Sequence, residues 1–435
     1  MEDDRKPVLQ VFFECSQELA SVPLVAFNFY DQISRACPVL LVTSERNAPA
    51  LEKVRGDRPV TYITESGPLQ SYFRLVKRLT TRGAVNSVGG SVNWPLRHVL
   101  SYPVYAEFSR RVRRQFGERV RAGEFSAVHA MTPMMPRYPV SLARACTGRT
   151  TPFILGPVNG GVPFPPGFKA IARKEYAAFN LFRGLCRLLP GYTATYRGAD
   201  RVLAGSQYTL TMLRETLQLA DRRLLLFPEN GVDPSFYVDA PAPLEPNEPL
   251  RLLFVGRLVP YKGADMLLAA LSLLPADLRS RLCLTIVGDG SERGALEEQA
   301  RALGPECPVS FTGWLPQLET ARYYRSSHLF CFPSIREFGG TVVLEAMAAA
   351  VPSLVVDHGG IGEYVTAASG VKIAPRSRQY IVSELASQIG ALARNPEKRA
   401  RMAVAALARG REFAWPERAR QMIALYAETR AERQP

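Results

Sequence analysis

No run among the 435 residues stays apolar for the roughly 18–20 residues that a membrane-spanning helix requires. The most tempting stretch, Met266 to Leu274, ends at Pro275 inside an amphipathic pattern, so no transmembrane helix is expected. The seven cysteines form no CxxC pair, and several lie in apolar strand-like runs. That is the pattern of buried free thiols, not of disulfides or a zinc site. Four histidines (98, 129, 328, 358) stand far apart with no HExxH pair, which leaves no recognisable metal motif. The opening MEDDRKP is acidic and polar where a signal peptide carries a basic and then an apolar region, so a cytoplasmic protein is expected.

What is present is ordinary globular composition: 47% hydrophobic and 22% charged residues, with 34 prolines dispersed along the chain. Disorder and fibrous structure are excluded. The length predicts two domains. The net charge of +14 is uneven, with 31 Lys and Arg against 20 Asp and Glu through Ala240, and near balance after it. Arg110, Arg111, Arg113 and Arg114 share a stretch with Phe108, Val112 and Phe116 at helical spacing. Such a basic amphipathic helix suits an anionic membrane surface or a phosphorylated ligand, or it is simply a solvated face. No zinc finger, RNP-type strand or aromatic platform accompanies it, so nucleic acid is not an expected partner.

Apolar strands alternate with helices from the start: Val8 to Phe13, Pro38 to Thr43, Val60 to Thr64, Ala127 to Ala130, Pro152 to Leu155, Arg201 to Ala204 and Leu224 to Pro228. The proline-rich Ala240 to Pro249 reads as a stiff linker. The rhythm restarts with Arg251 to Val255, Cys283 to Val287, Val309 to Thr312, Leu329 to Phe332, Ser353 to Val356 and Val371 to Ile373. The fold class is therefore α/β, with two Rossmann-like, doubly wound domains, 1–240 and 250–414, joined by a linker at 241–249. Such a pair implies an interdomain cleft, with ligands at the C-terminal ends of the strands.

Four loops of the second half share that address. Gly256 and Arg257 are followed by Lys262, a planar fork and a point charge suited to a diphosphate. Gly288-Asp289-Gly290 forms a glycine-rich turn that serves either a ligand or close helix–strand packing. In Glu337-Phe338-Gly339-Gly340-Thr341-Val342-Val343-Leu344-Glu345, glycines open a helix start, so backbone N–H groups of Thr341 and Val342 can meet an anion. Glu345 is then placed for ribose hydroxyls and Glu337 for those of a sugar, since a carboxylate accepts from two neighbouring hydroxyls. His358-Gly359-Gly360-Ile361-Gly362-Glu363 adds a fourth glycine loop.

VGRLVPYKG, VGDG, FTG, PSIREFGGTVVLEAMA and DHGGIGE, in this order, resemble the retaining glycosyltransferases of family 4, which have the GT-B fold. The resemblance covers nearly all of 250–412. It implies a UDP- or GDP-linked nucleotide-sugar donor and no cofactor or metal. Arg257 and Lys262 would neutralise the leaving diphosphate, Glu345 would hold the ribose, and Glu337 the sugar, aided by backbone at Phe338 and Gly339. Trp314 and Leu315, just after FTG, fall where the family contacts the base. His129, in Val128-His129-Ala130-Met131, matches the first histidine of the family's His-x-His motif and is a catalytic candidate.

On the acceptor side, Ser16 and Gln17 stand where family members commonly have a glycine-rich loop, and Asn159, Gly160 and Gly161 end another strand. The resemblance also implies that residues 415–435 form a helix packing back on the first domain. The expected reaction is hexosyl transfer to a lipid-linked or polysaccharide acceptor, with Arg110, Arg111, Arg113 and Arg114 at the inner membrane face. A soluble small-molecule acceptor, or a non-transferase such as a nucleotide-sugar epimerase, is the alternative.

Overall fold

The computed structural model describes residues 6–19, 21–82, 91–92, 94–135, 138–174, 186–245 and 248–433. They divide into two units. The first takes the described residues up to 161, those of 186–229 and those from 415 on, and the second takes 162–174 and Asn230–Ala414.

The first unit is built on a parallel sheet. Its strands are β1 (Val8–Val11), β2 (Val39–Ser44), β3 (Val60–Ile63), then β6 (Ala127–Ala130), β7 (Phe153–Val158), β8 (Arg201–Ala204) and β9 (Leu224–Leu226). Between them in sequence lie the two-residue strands β4 (Thr81–Arg82) and β5 (Ser91–Val92), which pair only with each other. The sheet order is β3-β2-β1-β6-β7-β8-β9, with every neighbouring pair parallel. Near-continuous apolar strands demand cover on both faces. One face packs on the helix Tyr102–Arg121 through Phe108, Val112 and Phe116. The other packs on Val22–Ser34 and the last helix, Trp415–Ala431, where Trp415 meets Phe29 edge-on at 5.3 Å.

This burial corrects one expectation. Phe108, Val112 and Phe116 are 2% exposed or less and fill the core, so the basic helix has no apolar face to insert into a membrane. Its exposed side carries Arg110, Arg113 and Arg114, while Arg111 pairs with Glu107 at 2.9 Å.

His129 is also corrected. It sits in the middle of the sheet on β6, fully buried, with Nδ1 2.6 Å from the Tyr426 hydroxyl, Nε2 2.5 Å from the Gly156 carbonyl, and Phe12 edge-on against the ring. Burial lowers its pKa to about 4, so it stays neutral and serves as a bridge between β7 and the last helix, not as a catalytic group.

The second unit holds β10 (Leu250–Val255), β11 (Leu282–Val287), β12 (Val309–Gly313), β13 (Leu329–Phe332), β14 (Ser353–Val356) and β15 (Gly370–Ile373). Their order is β12-β11-β10-β13-β14-β15, again all parallel. Its limits differ from the proline-rich boundary read from the sequence. Val232 bridges Ala414 and Phe236 is buried in the second core, so the chain joins this unit at Asn230. Phe168 lies in the same core, which places the segment 162–174 here too. Pro243 carbonyl accepts from Arg251 at 3.3 Å, tying the proline-rich stretch to β10.

Replacing His129 by Ala removes a packed ring and strands the buried Tyr426 hydroxyl. It is expected to lower stability by about 3 kcal/mol, and Tyr426→Phe by about 1 kcal/mol, both read from urea unfolding. Stability unchanged in His129→Ala would contradict the structural role.

Candidate functional site

The C-terminal ends of β10, β11, β12, β13 and β14 carry the donor-side residues singled out in the sequence, all within the second unit. After β10 the chain turns through Gly256 and exposed Arg257, whose Nη2 donates to the Tyr261 hydroxyl at 2.6 Å. A short helical turn, Pro260–Lys262, ends at Gly263 with φ of 76°. A Cβ at Gly263 would come within 2.5 Å of the Pro333 carbonyl oxygen, so only glycine lets this loop lie against the loop after β13. Ile335 N–H donates to the Tyr261 carbonyl at 2.9 Å and fixes the same contact.

That approach delivers Lys262 to Glu337. Their side chains, 13% and 10% exposed, form an ion pair. The Ser334 hydroxyl donates to the same carboxylate oxygen at 3.0 Å, and Lys262 Nζ lies 5.0 Å from the centre of the Phe332 ring. The Glu337 carbonyl accepts from Gly360 N–H at 3.1 Å, so the glycine loop after β14 packs on the Glu337 loop. Arg336 donates to the Val162 carbonyl at 3.2 Å and lies 4.9 Å from the Phe164 ring and 5.3 Å from the Phe338 ring, while His358 Nε2 is 2.7 Å from the Pro163 carbonyl. The segment starting at Val162 is thereby clamped to this site. Past Phe338 and buried Gly339, Gly340 takes the left-handed conformation and opens the helix Thr341–Ala348, which no side chain caps. Its first N–H groups, at Thr341 and Val342, belong to an uncapped helix start, an arrangement that suits an anion.

Glu345, one turn into that helix, is 3% exposed. Gln317 donates to Oε1 at 2.6 Å and the buried Tyr324 hydroxyl to Oε2 at 2.9 Å. Burial pushes the carboxyl up to about 7, against the pull of these two donors. Trp314 stands three residues before Gln317, 70% exposed, with Leu315 half-buried beside it.

Gly288 is required by packing. A Cβ there would collide with the Gly256 carbonyl, and its N–H donates to Gly313 at 2.9 Å, so the glycine turn lets the β10, β11 and β12 loops stack. On the acceptor side, Ser16 is buried and its hydroxyl accepts from Glu18 N–H at 3.2 Å, while Gln17 donates to the Ala50 carbonyl at 2.7 Å. Asn159 is committed to structure. Its amide nitrogen donates to Glu229 at 3.0 Å, and its carbonyl accepts from Ser206 at 3.0 Å and Thr209 at 2.9 Å. Thr209 also meets the Gly160 N–H at 3.3 Å, and at Gly161 the described chain leaves the first unit. Asn159 and Ser16 are thus corrected from acceptor contacts to loop supports.

Sequence reasoning missed Tyr324 and Gln317, which hold Glu345, and Ser334, which holds Glu337. Spacing offered one signal: Gln317 and Tyr324 are seven apart, hence on one face of the helix Gln317–Arg325. Among the described residues no group of three or more His, Cys, Asp or Glu is arranged to hold a metal.

The ordinary carboxylate pKa of Glu345 lies below its folded value, so the unfolded chain loses this proton first as pH rises. Folding stability contributed here falls from about pH 4.5 to about pH 7 and is flat above. Glu345→Gln is therefore expected to raise the melting temperature at pH 8, with a gain on the order of 2 kcal/mol that closes toward pH 5. A gain independent of pH would contradict a buried, strained carboxylate.

Residues 239–409 match the family model described as glycosyl transferases group 1. The D-inositol 3-phosphate glycosyltransferase of Frankia alni is 37% identical over 184 residues, which is 40% of this chain and 44% of that protein. The matches to such curated relatives thus span about half of their length. Among solved structures, Anabaena HepE in complex with UDP is 17% identical, covering 97% of this chain and all of that one at a TM-score of 0.61. Sucrose-phosphate synthase from Thermosynechococcus elongatus is 18% identical, covering 98% and 100% at 0.60. These likenesses establish the GT-B fold, and the loops after β10, β12, β13 and β14 lie within residues 239–409, the stretch that matches the model of the glycosyl transferases group 1.

Proposed function

We propose that this protein is a retaining glycosyltransferase that moves a hexosyl group from a UDP- or GDP-linked sugar to a hydroxyl of a small phosphorylated acceptor. The observation that carries the reading is the convergence of Lys262, Glu337, an uncapped helix start and buried Glu345 on one rim of a parallel sheet. The pattern is bipolar: cations and N–H groups for a diphosphate, and two carboxylates for hydroxyls on either side of it.

In this reading the diphosphate draws Lys262 from Glu337, joins Arg257, and rests on the N–H groups of Thr341 and Val342. Charge that builds on the leaving phosphate as the glycosidic bond breaks is met by these groups, which donor binding has already put in place. They supply what a metal would otherwise provide. Glu337, released from Lys262 but still held by Ser334, accepts from the sugar hydroxyls. Glu345 binds the ribose diol, its carboxylate oriented by Tyr324, and Trp314 offers an exposed ring to the base. Retention follows if the leaving phosphate takes the acceptor proton on the face it departs from.

The lipid-linked or polysaccharide acceptor read from the basic helix ranks second here. The apolar side of that helix is in the core, and the relative of Frankia alni carries a small phosphorylated acceptor in its name. Its support is the excess of positive charge through Ala240.

Incubation with UDP- and GDP-sugars and either D-inositol 3-phosphate or a polyprenyl phosphate, with products read by proton NMR, tests the proposal. A product with the donor's anomeric configuration is expected, and an inverted one would overturn the retaining mechanism. Lys262→Ala should lower kcat about 10²–10³-fold, because it removes charge aimed at the transition state. Tyr324→Phe should raise KM for the donor with little change in kcat, as it loosens only the grip on ribose.

A further inference from the structure

A second set of cations lies in the first unit. Arg110, Arg111 and Arg114 line a groove of about 610 Å³ between the helix Tyr102–Arg121 and the end of β3 at Tyr62 and Thr64. The placement is not explained by packing, since the helix already buries its apolar face on the other side. Glu107 is the acidic residue of the groove, and it is engaged by Arg111 at 2.9 Å and by Ser66 N–H at 3.1 Å. Arg110 reaches only a carbonyl of its own helix, at 3.2 Å, and Arg114 makes no ion pair or hydrogen bond among the described residues. Like charges one helical turn apart repel, and neither Arg110 nor Arg114 is in an ion pair among the described residues.

The opposite wall is backbone: β3 is the edge of its sheet, so alternating N–H and C=O groups on its outer side have no strand partner among the described residues. The charge of the groove therefore comes from its guanidinium forks, which match an anion with several acceptor oxygens. Arginine pairs with phosphate oxygens in a planar, two-pronged geometry, and two such forks one turn apart exceed what a single carboxylate can use.

We infer that this groove is a phosphate-binding site, which takes the phosphate of a phosphorylated small molecule or of a lipid headgroup, with Arg110 and Arg114 as its principal contacts. The site is exposed and charged, so its affinity falls as salt screens it. It does not rest on the transferase reading, because binding is measured without turnover.

The test is calorimetric titration of inorganic phosphate into the wild-type chain, Arg110→Glu/Arg114→Glu, Arg110→Gln/Arg114→Gln and Lys262→Ala. Flotation with phosphatidylcholine vesicles, with and without phosphatidylglycerol, accompanies it. The expected result is salt-sensitive phosphate binding in the wild type that Lys262→Ala retains, that the glutamine pair weakens, and that the glutamate pair weakens by about tenfold or more. Flotation of the wild type only with phosphatidylglycerol, lost in the glutamate pair, assigns the phosphate to a lipid. Phosphate binding without flotation assigns it to a soluble molecule. Equal phosphate binding in the wild type and the glutamate pair, or none in the wild type, overturns the site. Both arginine heads are solvated, and unchanged melting temperatures confirm that the variants are folded.

Discussion

The close approach of the loops after β10 and β13, which brings Lys262 to Glu337, is the constraint on which the candidate site depends. Two nearly buried charges are costly to remove from water and are tolerated only when each is met by the other and by further donors. Here Ser334 supplies the extra hydrogen bond and Phe332 an aromatic neighbour. The pair can form only because Gly263 admits the Pro333 carbonyl, and the Glu337 backbone is in turn fixed by Gly360. Three loops from three strands therefore meet at one electrostatic contact. Such a pair is well suited to being opened by a ligand that offers each partner a better match, anionic oxygens for the lysine and hydroxyls for the glutamate.

Glu345 shows the complementary strategy. Its carboxylate is held by Tyr324 and Gln317, yet burial keeps its pKa near 7, so its environment favours the neutral form. A diol that donated two hydrogen bonds to this carboxylate would stabilise the charged form and relieve the strain. In the first unit, by contrast, the polar groups at strand ends are turned inward. Glu229, pushed up to about 7 by burial, is bonded by Asn159, and His129 is enclosed between Tyr426 and Gly156.

Much of this was legible in the chain. Thirteen apolar runs between turns mark the thirteen strands of the two large sheets, because buried parallel strands leave a continuous apolar signal. The two-residue pair Thr81–Arg82 and Ser91–Val92 is too short to leave any. Lys262, Glu337 and Glu345 were found at strand ends because each belongs to a motif local in sequence. Tyr324 was not, since its role arises where the chain folds back on itself, and Ser334, only three residues from Glu337, was not because the turn of the loop is what brings its hydroxyl to the carboxylate. His129 misled for the same reason, as its partner Tyr426 is 297 residues away. The unit boundary misled as well: proline content marks stiffness, whereas the limit of a unit is set by where side chains such as Phe236 and Phe168 are buried.

The central claim, that the Lys262–Glu337 site takes a nucleoside diphosphate, is tested most directly by calorimetric titration of UDP and GDP into the wild-type chain and Lys262→Ala at one pH and ionic strength. Binding of one nucleotide to the wild type, weakened tenfold or more in the variant, is the predicted result and names the base. Equal affinity in both proteins, or no heat with either nucleotide, would contradict it.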